Sequence, residues 1–134
     1  MTTHDVSGHF TVCAGGIAYR NKHFYVAESY FDDDHSDYIV QFDAKFRHIK
    51  SHRVAFRSSF GIQGLEYLPD SDQFQIHSHA RDFYRINARF DNATLVRGKT
   101  DFDLQDLARL DAHTLVTNHR AAAKILFVKV VPTR

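Results

Sequence analysis

The stretch QFDAKF, Gln41 to Phe46, is restated as RINARF, Arg85 to Phe90, so that Asn87 follows Asp43 by 87 − 43 = 44 residues. Other segments come into register around that pair. GIAYRNKHFYVAES, Gly16 to Ser29, precedes the first motif, and GLEYLPDSDQFQIHSH, Gly64 to His79, precedes the second. A third copy, DLARLDAHTLVTNHRAAAKILFVKV, runs from Asp106 to Val130 with Asp106 in place of the opening Gly. The openings lie 64 − 16 = 48 and 106 − 64 = 42 residues apart. That period belongs to a repeated supersecondary unit.

Within each copy the side-chain period is two, as in a strand, rather than 3.6. Phe24 and Val26 alternate with Tyr25 and Ala27, and Phe74 and Ile76 alternate with Gln75 and His77. Turn chemistry separates the runs at Arg20-Asn21-Lys22, Pro69-Asp70-Ser71-Asp72 and Asp111-Ala112, where Asn and Asp tolerate left-handed backbone and bond neighbouring amides. Strands are therefore expected near residues 16–19, 23–28, 38–43 and 49–56, then 64–67, 73–77, 83–87 and 93–98, then 107–110, 114–117 and 124–131. DLQDLARL, Asp103 to Leu110, has a helical look, but its register with two strand openings predicts a loop leading into a strand. The third unit is one strand short.

Four-stranded units at this spacing are the pattern of β-propeller blades. The sequence thus predicts one all-β domain over 1–134, with a closing strand at 7–12, blade one over 15–57, blade two over 61–100 and blade three over 104–131. Propellers close with roughly four to eight blades. Three blades leave raw edges and uncovered faces that natural proteins avoid. SGHFTV, Ser7 to Val12, stands where an outer strand would stand in a repeating array. It is expected to complete the third blade of a second chain, two chains closing reciprocally into a six-bladed homodimeric ring.

The second unit, GIQGLEYLPDSDQFQIHSHARDFYRINARF, resembles a blade of the six-bladed propellers of the calcium-dependent lactonase and phosphotriesterase-like group and their NHL-repeat relatives. The shared pattern is an acidic-Gly-Leu-Ala-Tyr opening, an Asp-rich turn, a strand, a loop and a strand ending near Asp. The likeness extends over about residues 12–131. It implies a six-bladed fold and, for the hydrolytic members, calcium held in the central channel by Glu, Asn or Asp at the mouths of inner strands. The matching positions here are Gly15, Gln63 and Gln105. None is a carboxylate, whereas Ca²⁺ takes six to eight oxygen ligands with charged ones among them. In a dimer, doubled Gln63 and Gln105 would make a hydrogen-bonding ring.

Further candidates lie on the strands. Glu66, alone on an inner strand, is a carboxylate that burial would protonate more readily, and Arg109 in the next unit is its expected salt-bridge partner. Glu28, at the end of an expected strand, and Asn118, in the loop after one, are assigned with these to the channel. His77 and His79, two apart on one strand, face the same side, and His119 matches His79 in the repeat. Together they could hold a divalent metal; otherwise they cap strand ends. Asp32-Asp33-Asp34-His35 reads as a solvated, protruding loop. The basic run Lys45, Arg47, His48, Lys50, His52, Arg53 and Arg57 reads as an outer strand charged against edge pairing.

Composition narrows the function classes. Net charge is +1 with ten His counted neutral, which gives no footprint for nucleic acid. The single Cys13 excludes an internal disulfide and is expected to be a buried free thiol. No apolar run approaches the roughly 18 residues of a membrane span, and the first residues lack a signal-like apolar core, so a cytoplasmic location and no membrane partner are expected. The first functional reading is a non-enzymatic binding or scaffolding module that recognises a small ligand or a protein at the channel mouth and rim loops. The alternative is a metal-dependent lactonase- or esterase-like hydrolase. The first reading needs no cofactor.

Overall fold

The computed structural model describes residues 2–30, 37–54, 61–78, 83–92, 94–97, 104–119 and 123–129, with backbone alone at 94–97, 104, 105, 107, 118 and 119. The fold is all-β. Three antiparallel sheets follow one another along the chain, each a meander in sequence order. The first comprises β1 (Cys13–Arg20), β2 (His23–Ser29), β3 (Tyr38–Asp43) and β4 (His48–Arg53). The second comprises β5 (Ile62–Leu68), β6 (Gln73–Ser78), β7 (Phe83–Asn87) and β8 (Thr94–Arg97). The third comprises β9 (Leu104–Asp111), β10 (Thr114–His119) and β11 (Lys124–Lys129), so its outer edge is unpaired among the described residues. DLQDLARL is strand from Leu104 onward, so the strand takes up residues 104–106 where the sequence predicts a loop. No helix among the described residues is long and apolar enough to cross a membrane.

The repeated motif turns out to be a turn. Asp43 Oδ1 accepts from the amides of Lys45 (2.8 Å) and Arg47 (3.0 Å), and its carbonyl accepts from Phe46 N (3.0 Å). Asn87 repeats this with Arg89 N (3.0 Å), Asp91 N (3.4 Å) and Phe90 N (2.9 Å). Phe46 and Phe90 both sit in the left-handed region, at φ 57° and 64°. Only a short side chain with an oxygen acceptor can reach back to those amides, which is why the motif holds Asp in one copy and Asn in the other. The β1–β2 hairpin is equally local in origin: Asn21 and Lys22 both have positive φ, the twist that suits a two-residue hairpin.

The sheets stack face to face. Ala18, Tyr25, Ala27 and Ile39 on one face of the first sheet bury against Ile62, Leu65, Phe74, Ile76, Ile86 and Phe90 of the second. The second meets the third through Leu68, Phe83 and Leu115, with Leu126 and Val128 at the margin. The opening strands β1, β5 and β9 are neighbours in that order. Their approach is close: a Cβ added at Gly15 would lie 2.0 Å from the Ile62 carbonyl oxygen, and one at Gly16 would lie 2.3 Å from Leu65 N. Only glycine fits between these backbones.

The expected strand at 7–12 is not extended. Ser7–His9 forms a 3-10 turn, held by His9 N to Val6 O and Phe10 N to Ser7 O (both 3.1 Å), with Ser7 N donating to Asp5 Oδ1 at 2.9 Å. The cause is apolar. Val6 and Phe10 pack on Val26, Val40 and Phe42, the outer face of their own first sheet. Cys13 is half-buried rather than enclosed, and its Sγ donates to the Ser29 carbonyl at 3.2 Å. The loop at 31–36 lies outside the described residues.

Candidate functional site

Each sheet carries a β-bulge between its first two strands. The register slips between Ala14 and Ile17 in the first, between Ile62 and Gly64 in the second, and across Thr117 and His119 opposite Leu107 and Leu104 in the third. Gly15 and Gly16 fall in the first slip, Gln63 in the second, and Gln105 and Asp106 in the third. Bulges re-aim side chains away from the regular pleat, so the three matched positions share a backbone feature that alternation alone does not reveal. Gln63 Nε2 donates to Ser29 Oγ of the first sheet. Gly15 carries no side chain because β5 leaves no room for one. At the third slip Thr117 Oγ1 donates to the Asp106 carbonyl.

At the other end of the opening strands lies a depression of about 700 Å³, lined by Ile17, Tyr19, Tyr67 and Leu110 with Glu66 and Arg109 beside them. Burial raises the Glu66 carboxyl above its ordinary range, against the opposing pull of the Arg109 main-chain amide and positive charge. The two residues are thus neighbours, but the expected Glu66–Arg109 ion pair is replaced. The Arg109 guanidinium turns to Asp70 on the β5–β6 turn, and its Nε donates to the Asp111 carbonyl at 3.1 Å. Geometry decides this, because Asp70 stands on a projecting turn within reach of the guanidinium.

The same turn is gripped from the opposite side. Arg20, at the end of β1, forms a bidentate pair with Asp72, Nε to Oδ1 at 2.8 Å and Nη2 to Oδ2 at 3.0 Å. Tyr67 Oη donates to Asp72 Oδ1 at 2.8 Å, and the Arg20 guanidinium lies 5.5 Å from the Tyr67 ring centre. Hydrogen bonds from Tyr67 and then Arg20 hold the Asp72 carboxyl below its ordinary value. Exposed pairs of this kind contribute little stability. Their effect is positional, since a turn of the second sheet is tied to the first by Arg20 and to the third by Arg109. The sequence marks Arg20, Asp70 and Asp72 as turn residues but not as partners across sheets. The available signal was an acid pair in one turn with an Arg near the end of each flanking opening strand.

The remaining candidates are dispersed. Glu28 is buried on β2 and accepts a hydrogen bond from Thr11 N. Asn118 lies on β10 opposite Ile125, and His119 opposite Lys124. His77 is enclosed in the interior, 6.0 Å from the Phe83 ring, and His79 lies outside the described residues. Among the described residues no three His, Cys, Asp or Glu side chains gather closely enough to hold a metal. A buried pair outside the expected set lies on the second sheet: Arg85 Nε donates to Gln75 Oε1 at 3.2 Å, while Gln75 Nε2 donates to the Tyr84 carbonyl at 3.0 Å. The charge and amide satisfy each other, as interior polar groups must. Comparison with known proteins finds no matching family model and no matching curated sequence.

Proposed function

We propose that this chain is a binding module, half of a six-bladed propeller formed by two copies, which takes a small amphipathic molecule or peptide at the inner ends of its opening strands. The observation that carries the reading is the depression where β1, β5 and β9 come together, apolar through Ile17, Tyr19 and Leu110 and polar through Glu66 and Arg109. Mostly apolar walls with a few placed polar groups are the usual make-up of a ligand site. Support for the ring comes from the repeat: three sheets stack in sequence, each packing on the next, with their opening strands side by side. Two such half-rings related by a twofold axis would place one chain's third sheet on the other's first, twice over. The NHL-like reading of the sequence points the same way.

The test has two readouts. Light scattering coupled to size exclusion is expected to give twice the mass of the 134-residue chain; a compact monomer at every concentration would remove the ring. Screening amphipathic fragments by NMR should shift the rings of Tyr19 and Tyr67 together, and Glu66→Gln should weaken that response. Hits scattered over other surfaces would sink the binding site.

A further inference from the structure

The first and second sheets carry the same aromatic device on the same face. In the second sheet Phe74 and Phe90 stack at 5.1 Å and 22°; in the first, Phe24 and Phe46 stack at 4.3 Å and 15°. What covers them differs. The first sheet supplies the cover for the second: Tyr25 lies 5.0 Å from Phe74 and 5.6 Å from Phe90, and His52 lies 4.5 Å from Phe90. No sheet precedes the first among the described residues, and the N-terminal segment takes the place. His4 stacks on Phe46 at 4.7 Å and 22°, in the place where His52 meets Phe90 at a 39° tilt. Phe10 meets Phe42 at 6.4 Å, and His9 stacks on His48 at 4.6 Å.

At the far end of the stack, no sheet among the described residues covers the outward face of the third sheet. Counting from the hairpins, Val116 on β10 takes the position of Tyr25 on β2, because His23 pairs with Arg20 as Thr114 pairs with Asp111. Val116 pairs with Ala108 and Phe127 across its sheet, and Leu110 and Ile125 share that side. Leu110, Ile125 and Phe127 are 61%, 64% and 64% exposed. Large apolar side chains grouped on one sheet face mark a contact surface.

We infer that residues 4–10 are a displaceable cover that imitates a neighbouring sheet, and that the third sheet of a second copy competes with them for the outer face of the first. This rests on the two-copy ring proposed above. It reverses the role expected of the segment: as a closing strand its loss would weaken association, and as a cover its loss strengthens it. Because the two occupants need the same Phe24–Phe46 surface, they exclude each other. The cover thus sets how readily copies assemble and keeps an aromatic face from unselective contact.

Dissociation constants from sedimentation over a concentration series test this with the full chain, Phe10→Ser, and Phe10→Ser combined with Phe127→Asp. Phe10→Ser removes an anchor of the cover without touching the first sheet, and about a tenfold tighter dimer is expected. Adding Phe127→Asp should abolish the gain. A variant lacking residues 1–11 should move in the same direction as Phe10→Ser. If the full chain is a dimer and Phe10→Ser leaves its constant unchanged or weakens it, the cover is wrong while the ring stands. If the full chain and Phe10→Ser are both monomers throughout, the ring fails and the competition with it. A gain that survives Phe127→Asp would mean that the copies meet elsewhere, which also overturns the proposal.

Discussion

The two faces of the first sheet are built from the same alternating strands yet live in different surroundings. Toward the second sheet, Ala27 and Ile39 are wholly buried, and glycines 15 and 16 let backbones approach until no Cβ would fit. On the outer side, Val40 and Phe42 are as well buried, but under a short segment wound as a 3-10 turn. Ile17 and Tyr19, on the same strand as the glycines, stay more than half exposed. The lesson is that burial alone does not distinguish a structural interface from a temporary one. What distinguishes them is how much must move to open each.

The sharpest way to break that comparison is a pair of truncations. Phe74→Ala, at the sealed interface, is expected to lose about 3–5 kcal/mol because sheets on both sides prevent collapse of the cavity. Phe24→Ala, its counterpart under the N-terminal cover, should lose less than half of that, since the cover can settle inward. Urea denaturation of both variants measures this, and equal losses would abolish the distinction between the faces.

A smaller effect is expected from Gly16→Ala. Its Cβ would meet backbone atoms of Gly64 and Leu65 at under 3.0 Å, so β1 and β5 must part, at about 1–3 kcal/mol. Gly8, which has nothing within 4 Å of an added Cβ, should accept alanine without measurable loss. Thermal melts of the two variants compare the sheet–sheet contact with the cover directly.

The smallest effect concerns the two copies of the repeated turn. Asn87→Ala should lose about 1 kcal/mol with the hydrogen bonds to residues 89 and 91, at every pH. Asp43 differs in being ionisable. Amide donation from Arg47 first, and its side chain and Lys45 further on, hold the Asp43 carboxyl below its ordinary 3.8. A folded value below the unfolded one means that the contribution is complete above the unfolded value and is lost as pH falls through the folded one. Asp43→Asn should therefore flatten the acid limb of the stability profile, and Asn87→Ala should leave its shape unchanged. Melts between pH 2 and pH 6 would show it.

Much of the architecture was legible in the sequence because it is local. Strands β3 and β7 fall on residues 38–43 and 83–87 as the alternation predicts, and β2 and β6 differ from expectation by one residue at their ends. Boundaries of the opening strands were less legible, since Gly15, Gly16 and Gln63 break the period at bulges that only the partner strand defines. The site was half legible. Glu66 and Arg109 do meet, but the guanidinium's partner is Asp70, on a turn 39 residues away in sequence, and no periodicity records which of several nearby carboxylates a long side chain will reach.

By itself the sequence determined the repeat, the strand period and the chemistry of the turns, because each depends on residues a few positions apart: an Asx oxygen reaching two amides, a left-handed Phe, alternate side chains on opposite faces. The tertiary structure decided the fate of residues 4–10. Their sequence is compatible with an extended strand, and Val6 and Phe10 become a cover only because β2 and β3 present Val26, Val40 and Phe42 as an apolar surface beside them. Burial is a property of two surfaces meeting, and hydrophobic attraction is non-directional, so a segment takes the conformation that the surface it lands on will accept.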